Sequence, residues 1–96
     1  MSLLTEHLKK LGFFCAIEQE LYIKDTGKYT SLIIEGMKEK HKSMYLYVFY
    51  KQTFYPHHPN TVTVYGEGLT AFYLIQRVTK YLTNRKNYLK ERNIIE

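Results

Sequence analysis

Tryptophan is absent from this 96-residue chain, alanine occurs only at Ala16 and Ala71, proline only at Pro56 and Pro59, and cysteine only at Cys15. One thiol cannot close an internal disulfide, and so small a chain built for an oxidising compartment usually carries several; a soluble protein of the cytoplasm is expected. No apolar run approaches the ~18 residues of a membrane span. The longest, residues 44–50, has seven residues, which is strand length. The start, Met1-Ser2-Leu3-Leu4-Thr5-Glu6, lacks the basic region and long apolar stretch of a secretory signal. Signatures of catalysis are missing as well: there is no G-x-S-x-G elbow, no phosphate-cradling G-x-x-x-x-G-K-[ST] loop and no H-E-x-x-H pair. These absences argue for a non-enzymatic protein that takes no cofactor, and no small-molecule substrate is indicated.

What is present is an unusual mixture: ten tyrosines and five phenylalanines with abundant lysine and isoleucine. Codon bias in an AT-rich viral or mobile-element genome would produce it with no functional demand. The net charge of +5 is more informative once located. Residues 1–75 hold eight lysines against seven acids, a balance of +1. Residues 76–96 hold Arg77, Lys80, Arg85, Lys86, Lys90 and Arg92 against Glu91 and Glu96, a balance of +4. A cationic run near one end is the electrostatic footprint expected of a nucleic-acid-binding protein.

Periodicity organises the chain. Leu4, Leu8 and Leu11 recur at helical spacing over residues 2–11, with Ser2 as N-cap and Gly12 as the left-handed residue that closes the helix. Residues 13–24 alternate as one half-buried strand, and residues 25–28, Asp-Thr-Gly-Lys, form a hairpin turn with Gly27 at positive φ. The returning strand covers 29–37, and its weak alternation leaves the core-facing side undecided. Residues 44–53 are apolar or aromatic on both faces, as in a central strand covered on both sides. Two prolines make 54–60 a loop, and 61–65 is a short β-branched strand. From Gly68 a helix carries the stripe Leu69, Phe72, Ile75, Val78 and Leu82 to at least Thr83, or onward past Asn84. The expected architecture is a single α+β domain over 1–96. It has the order α-β-β-β-β-α, with an antiparallel three- to four-stranded sheet and both helices on one face.

Each chemical candidate has a plainer counterpart. Arg77, Lys80, Arg85, Lys86, Lys90 and Arg92 can track phosphates by counterion release, or can be a solvated helix face near a C-terminus. Tyr45, Tyr47 and Phe49, with Lys51 next in line, can stack bases, pack as core, or form a homodimer interface. Gly66-Glu67-Gly68-Leu69-Thr70-Ala71 matches the dinucleotide pattern G-x-G-x-x-A, but only 25 residues follow, too few for the βαβ unit the motif needs. His57-His58 between prolines reads as a loop rather than a metal site. Cys15 on the apolar side of a strand behaves as a small hydrophobe, and Glu18 with Glu20 reads as a solvent-facing strip rather than a metal-dependent nuclease site.

The reading is a small DNA- or RNA-binding protein that uses a basic C-terminal helix. Arg77, Lys80, Arg85, Lys86, Lys90 and Arg92 make the contacts, with Tyr45, Tyr47 and Lys51 as additions. The alternative is a homodimeric interaction module, encoded by a virus or mobile element, that meets its partner through the aromatic central strand. No membrane partner is expected.

Overall fold

The computed structural model describes residues 2–91. Helix α1 (Leu3–Lys10) is closed at both ends by its own sequence. Ser2, extended at φ −75°, accepts the Thr5 N–H on its Oγ at 3.1 Å. Gly12, at φ 96°, completes the other end: the Phe13 N–H reaches the Leu8 carbonyl at 2.9 Å and the Gly12 N–H the Lys9 carbonyl at 3.0 Å. That pair of bonds is the Schellman closure, which requires the left-handed conformation that glycine adopts without steric cost.

Five strands follow, β1 (Phe14–Ile17), β2 (Leu21–Gly27), β3 (Thr30–Lys38), β4 (Tyr45–Thr53) and β5 (Thr61–Leu69), and then helix α2 (Ala71–Glu91). The strands form one open antiparallel sheet in sequence order. The α+β class and the flanking helices agree with the sequence reading, but the sheet has five strands rather than three to four. The extra strand arises because residues 13–24 do not run straight. The chain reverses at Gln19, which takes φ 65°. Two bonds hold that reversal: the Glu20 N–H to the Ile17 carbonyl at 2.9 Å, and the Gln19 N–H to the Tyr22 hydroxyl at 2.8 Å.

Two boundaries also move. The β2–β3 turn is made by Lys28 and Tyr29; Gly27 pairs with Thr30 as the last residue of β2 and does not take positive φ. At the other end β5 runs on to Leu69, because register shifts opposite residues 47–50 and Gly68 at φ 60° absorb the surplus residues. Helix α2 therefore starts at Ala71 and continues past Asn84.

Strand pairing fixes what each face carries. Cys15, Tyr22, Ile34 and Phe49 lie side by side on one face, with Leu32 and Tyr47 on the same side of their strands. Leu4 and Leu8 of α1 and Leu74 and Val78 of α2 join these residues in a single core, so both helices cover the same face. Tyr22, Leu32, Ile34 and Phe49 are fully buried, and each such side chain contributes about 1.5–3 kcal/mol of transfer free energy. Gly36 makes room for this packing. A Cβ there would lie 2.6 Å from Cε1 of Tyr47 and collide with the Gln19 carbonyl.

The aromatic side of the central strand is thus core. Tyr47 is 4% exposed and Phe49 0%, which corrects the expectation of Tyr47 as a base-stacking ring and of this side as a meeting surface. Only one face of β4 is covered, not both.

Candidate functional site

Helix α2 packs over β4 and β5 on the covered face of the sheet and leaves a groove of about 520 Å³ along β5. On the helix side, Tyr73, Arg77, Lys80 and Asn84 recur every three or four residues and so share one flank, with Gln76 at its edge. The strand side supplies Tyr65 and Leu69. Aromatic contacts build the floor. The Tyr65 and Tyr81 ring centroids are 4.6 Å apart, and both rings lie against buried Phe49, at 5.4 Å and, edge-on, at 5.7 Å.

The polar groups are placed by the same frame. Arg77 Nη1 donates to the Tyr65 carbonyl at 2.9 Å, tying the helix to the strand and fixing a cation at the groove. A guanidinium carries five N–H donors, and this bond uses one. Lys80 stands one turn further along and is exposed. Burial, followed by a hydrogen bond with Tyr65, pushes the Tyr81 phenol above its usual pKa, while Lys51 and Arg85 pull it the other way. The Tyr81 hydroxyl on the floor is therefore neutral at physiological pH, with cations around it. No aspartate or glutamate occurs between residues 68 and 90; the acid nearest in sequence is Glu67 on β5.

The cations expected to act together divide. Arg77 and Lys80 line the groove. Arg85 is half-buried and donates through Nη2 to the Thr26 carbonyl at 3.3 Å, at the β2–β3 hairpin. Lys86 and Lys90 are exposed, but Lys86, nine residues after Arg77, leaves the helix about 180° around from it. Arg92 lies outside the described residues. Lys51 is half-buried on the helix-covered side. Tyr45 is half-buried too, its ring 6.3 Å from that of Tyr47 and 5.9 Å from Lys38 Nζ. Burial, with Tyr22, Tyr45 and Glu18 nearby, pushes the Tyr47 phenol up to about 12. Sequence reading missed Tyr65, Tyr73 and Tyr81. The spacing 73, 77, 80 and 84 was visible, but it gains meaning only once β5 is known to lie alongside.

The other candidates resolve into structure. Glu18 Oε1 accepts the Thr5 hydroxyl at 2.7 Å and the Ser2 N–H at 3.1 Å, and these bonds hold its carboxyl down to about 2. Glu18 therefore clasps α1 onto the β1–β2 turn. Burial, then the Glu18 charge, pushes the Cys15 thiol up, away from thiolate chemistry. His57 and His58 sit on an exposed loop, where the His58 ring meets Tyr55 edge-on at 6.3 Å. Among the described residues no three His, Cys, Asp or Glu side chains are grouped so as to hold a metal ion. Gly66, Glu67 and Gly68 belong to β5 rather than to a phosphate loop. No helix among the described residues is long and apolar enough to cross a membrane.

Comparison with known proteins gives one likeness without a role. Over 84 residues, covering 86% of this chain and 82% of the relative, the sequence is 29% identical to YddA, an uncharacterized protein of Bacillus subtilis strain 168. No protein-family model matches the sequence, and no solved structure matches it.

Proposed function

We propose that this protein binds nucleic acid without acting on it chemically, and that the β5–α2 groove is where it does so. The observation that carries the reading is the meeting of Arg77 and Lys80 with the rings of Tyr65, Tyr73 and Tyr81 in one groove. Cations beside stacking surfaces are what a single strand needs: the backbone meets charge, and unstacked bases lie on rings at about 1–3 kcal/mol per base. Tyr73, 59% exposed, is the ring placed to receive a base. The concave shape favours a single strand over a duplex, whose bases are already stacked on one another. Lys86 and Lys90, on the other flank, add general attraction and no contact within the groove.

Fluorescence anisotropy with single-stranded DNA, single-stranded RNA and duplex across a salt series tests the reading. Two phosphate contacts give a log–log salt slope of about −1.4 for a single strand. Arg77→Glu with Lys80→Glu should abolish binding, and Tyr73→Ala should weaken it by about 5- to 150-fold, the equivalent of one lost stack. Lys86→Glu with Lys90→Glu should cost less than the groove pair. Failure of the wild-type chain to bind at low salt, or binding indifferent to the Arg77/Lys80 reversal, rejects the reading.

A further inference from the structure

The face of the sheet away from the helices has no cover, yet it is not a polar face. Strand pairing lines up Phe14, Ile23, Ile33, Tyr50 and Val64 as one apolar row across all five strands. Leu21 and Val48 lie in the adjoining row, either side of Glu35, and Met37 pairs with Leu46 beyond it. Phe14 is 69% exposed, Met37 74% and Val64 47%. A solvated sheet face alternates to polar side chains; this one does not.

We propose that this face docks a second copy of the chain, sheet against sheet, with the helices outermost. Charge excludes the anionic occupants. The strand lysines Lys24, Lys38 and Lys51 all pair into the helix-covered side, and among the described strand residues none of the basic ones lies on the open face. The acids on it, Asp25 and Glu35, already accept bonds from Ser31 at 2.6 Å and Tyr50 at 3.1 Å. Among the strand residues, a phosphate backbone or an anionic lipid surface would meet carboxylates and no lysine. The area fits a dimer. Five strands about 4.8 Å apart, at about 3.3 Å per residue along their length, project ~600 Å², and protruding side chains add to that, against the ~800 Å² per partner of a standard interface. The row is also complementary to itself. A two-fold axis along β3 sets Ile33 on Ile33, Ile23 opposite Tyr50, and Phe14 opposite Val64, so each large side chain meets a smaller one. The aligned packing of two twisted sheets accommodates this arrangement.

Sedimentation velocity across a concentration series tests the proposal. The wild-type chain should sediment with twice its 11.5 kDa mass. Phe14→Lys alone and Val64→Glu alone, both at exposed positions, should each be monomeric with unchanged far-UV circular dichroism. Combined in one chain they face each other across the axis, and the dimer should return. The same axis sets Glu35 against its own copy, so Glu35→Gln, which removes that pair of facing carboxylates, should tighten the dimer. A wild-type monomer at every concentration overturns the proposal, and so does a dimer indifferent to Phe14→Lys and Val64→Glu. Should either variant lose its circular dichroism, hydrogen exchange on the wild-type chain decides. Added protection on β2, β3 and β4 at high concentration supports the face, and protection confined to α2 overturns it.

Discussion

Thr5 lies at the junction between α1 and the sheet, and its replacement by valine should be felt well beyond one hydroxyl. Thr5 has one proton, which it gives to Glu18 at 2.7 Å. It must then accept from Tyr22, whose hydroxyl lies 2.7 Å away and itself accepts the Gln19 N–H at 2.8 Å. A directed chain results: the turn amide of Gln19, the Tyr22 hydroxyl, Thr5, then the Glu18 carboxylate. Valine keeps the shape of threonine, so no cavity opens, but the fully buried Tyr22 loses the acceptor for its proton. An unsatisfied buried hydroxyl costs about 1–3 kcal/mol, and each kcal/mol lowers Tm by about 4–8 °C in a domain of this size. The Glu18 carboxylate faces solvent, so water screens its share and the buried hydroxyl dominates the loss. Its titration nonetheless reports the event. With a folded-state pKa of about 2 against an ordinary 4.5, ionised Glu18 favours the fold above pH 4.5, and that contribution disappears as pH falls to 2. In Thr5→Val the folded pKa should rise toward its ordinary value, flattening the acid limb of the stability profile. Thermal melts as a function of pH, with carboxyl-carbon NMR titration of Glu18, measure both effects. A variant that melts like wild type at neutral pH, or in which Glu18 still titrates near 2, would refute the directed chain.

Three further outcomes follow from single positions. Gly36→Ala should destabilise by about 1–3 kcal/mol in urea unfolding, because its Cβ would stand 2.6 Å from the Tyr47 ring and against the Gln19 carbonyl. Gln19→Gly should raise Tm, since the φ of 65° strains a residue bearing a Cβ by about 1–2 kcal/mol; a fall in Tm on calorimetry would mean that the Gln19 side chain contributes more than the backbone loses. Tyr65→Phe removes one of the causes that raise the Tyr81 phenol, so its titration by ultraviolet absorbance should move down while burial keeps it above the ordinary value.

Local chemistry was legible in the sequence. The Ser2 cap, the Gly12 closure and the Leu4 and Leu8 stripe of α1 are written in neighbouring residues and turned up where the sequence placed them. The stripe of α2 held only in part: Val78 is buried, but Leu69 belongs to β5, Phe72 is 66% exposed and Leu74 takes the core position. Long-range consequences were not. Residues 13–24 alternate as well as any strand, and nothing in their composition announces a reversal at Gln19. The turn is held by Tyr22 and by the Gly36 N–H bonding to the Glu20 carbonyl at 2.9 Å, partners supplied by tertiary structure. Strand 44–53 was readable as central, but an apolar strand does not say which side the helices will take. The groove was half visible: Arg77 and Lys80 stood out by charge, whereas Tyr65 and Tyr81 become a floor only when α2 folds back beside β5.

The pairing register also sorts the charges of the strands. Lys24, Lys38 and Lys51 point to the helix side, and Asp25 and Glu35 to the open side. A polyanion is therefore attracted to the layer that holds the groove and repelled by the layer that holds the apolar row. Dimerisation through the open face would leave two grooves on opposite outer layers, with the acids between them. Affinity for a short strand should then be the same per chain in dimer and monomer, and only a strand long enough to wrap from one groove to the other would gain from the linkage. Val64→Glu, which splits the dimer, should leave short-strand affinity unchanged while removing any such gain, and Arg77→Glu with Lys80→Glu should abolish binding while leaving the sedimenting mass unaltered. If one variant altered both readouts, the two layers would not be independent, and the separation of charge by the sheet would not be what divides the two surfaces.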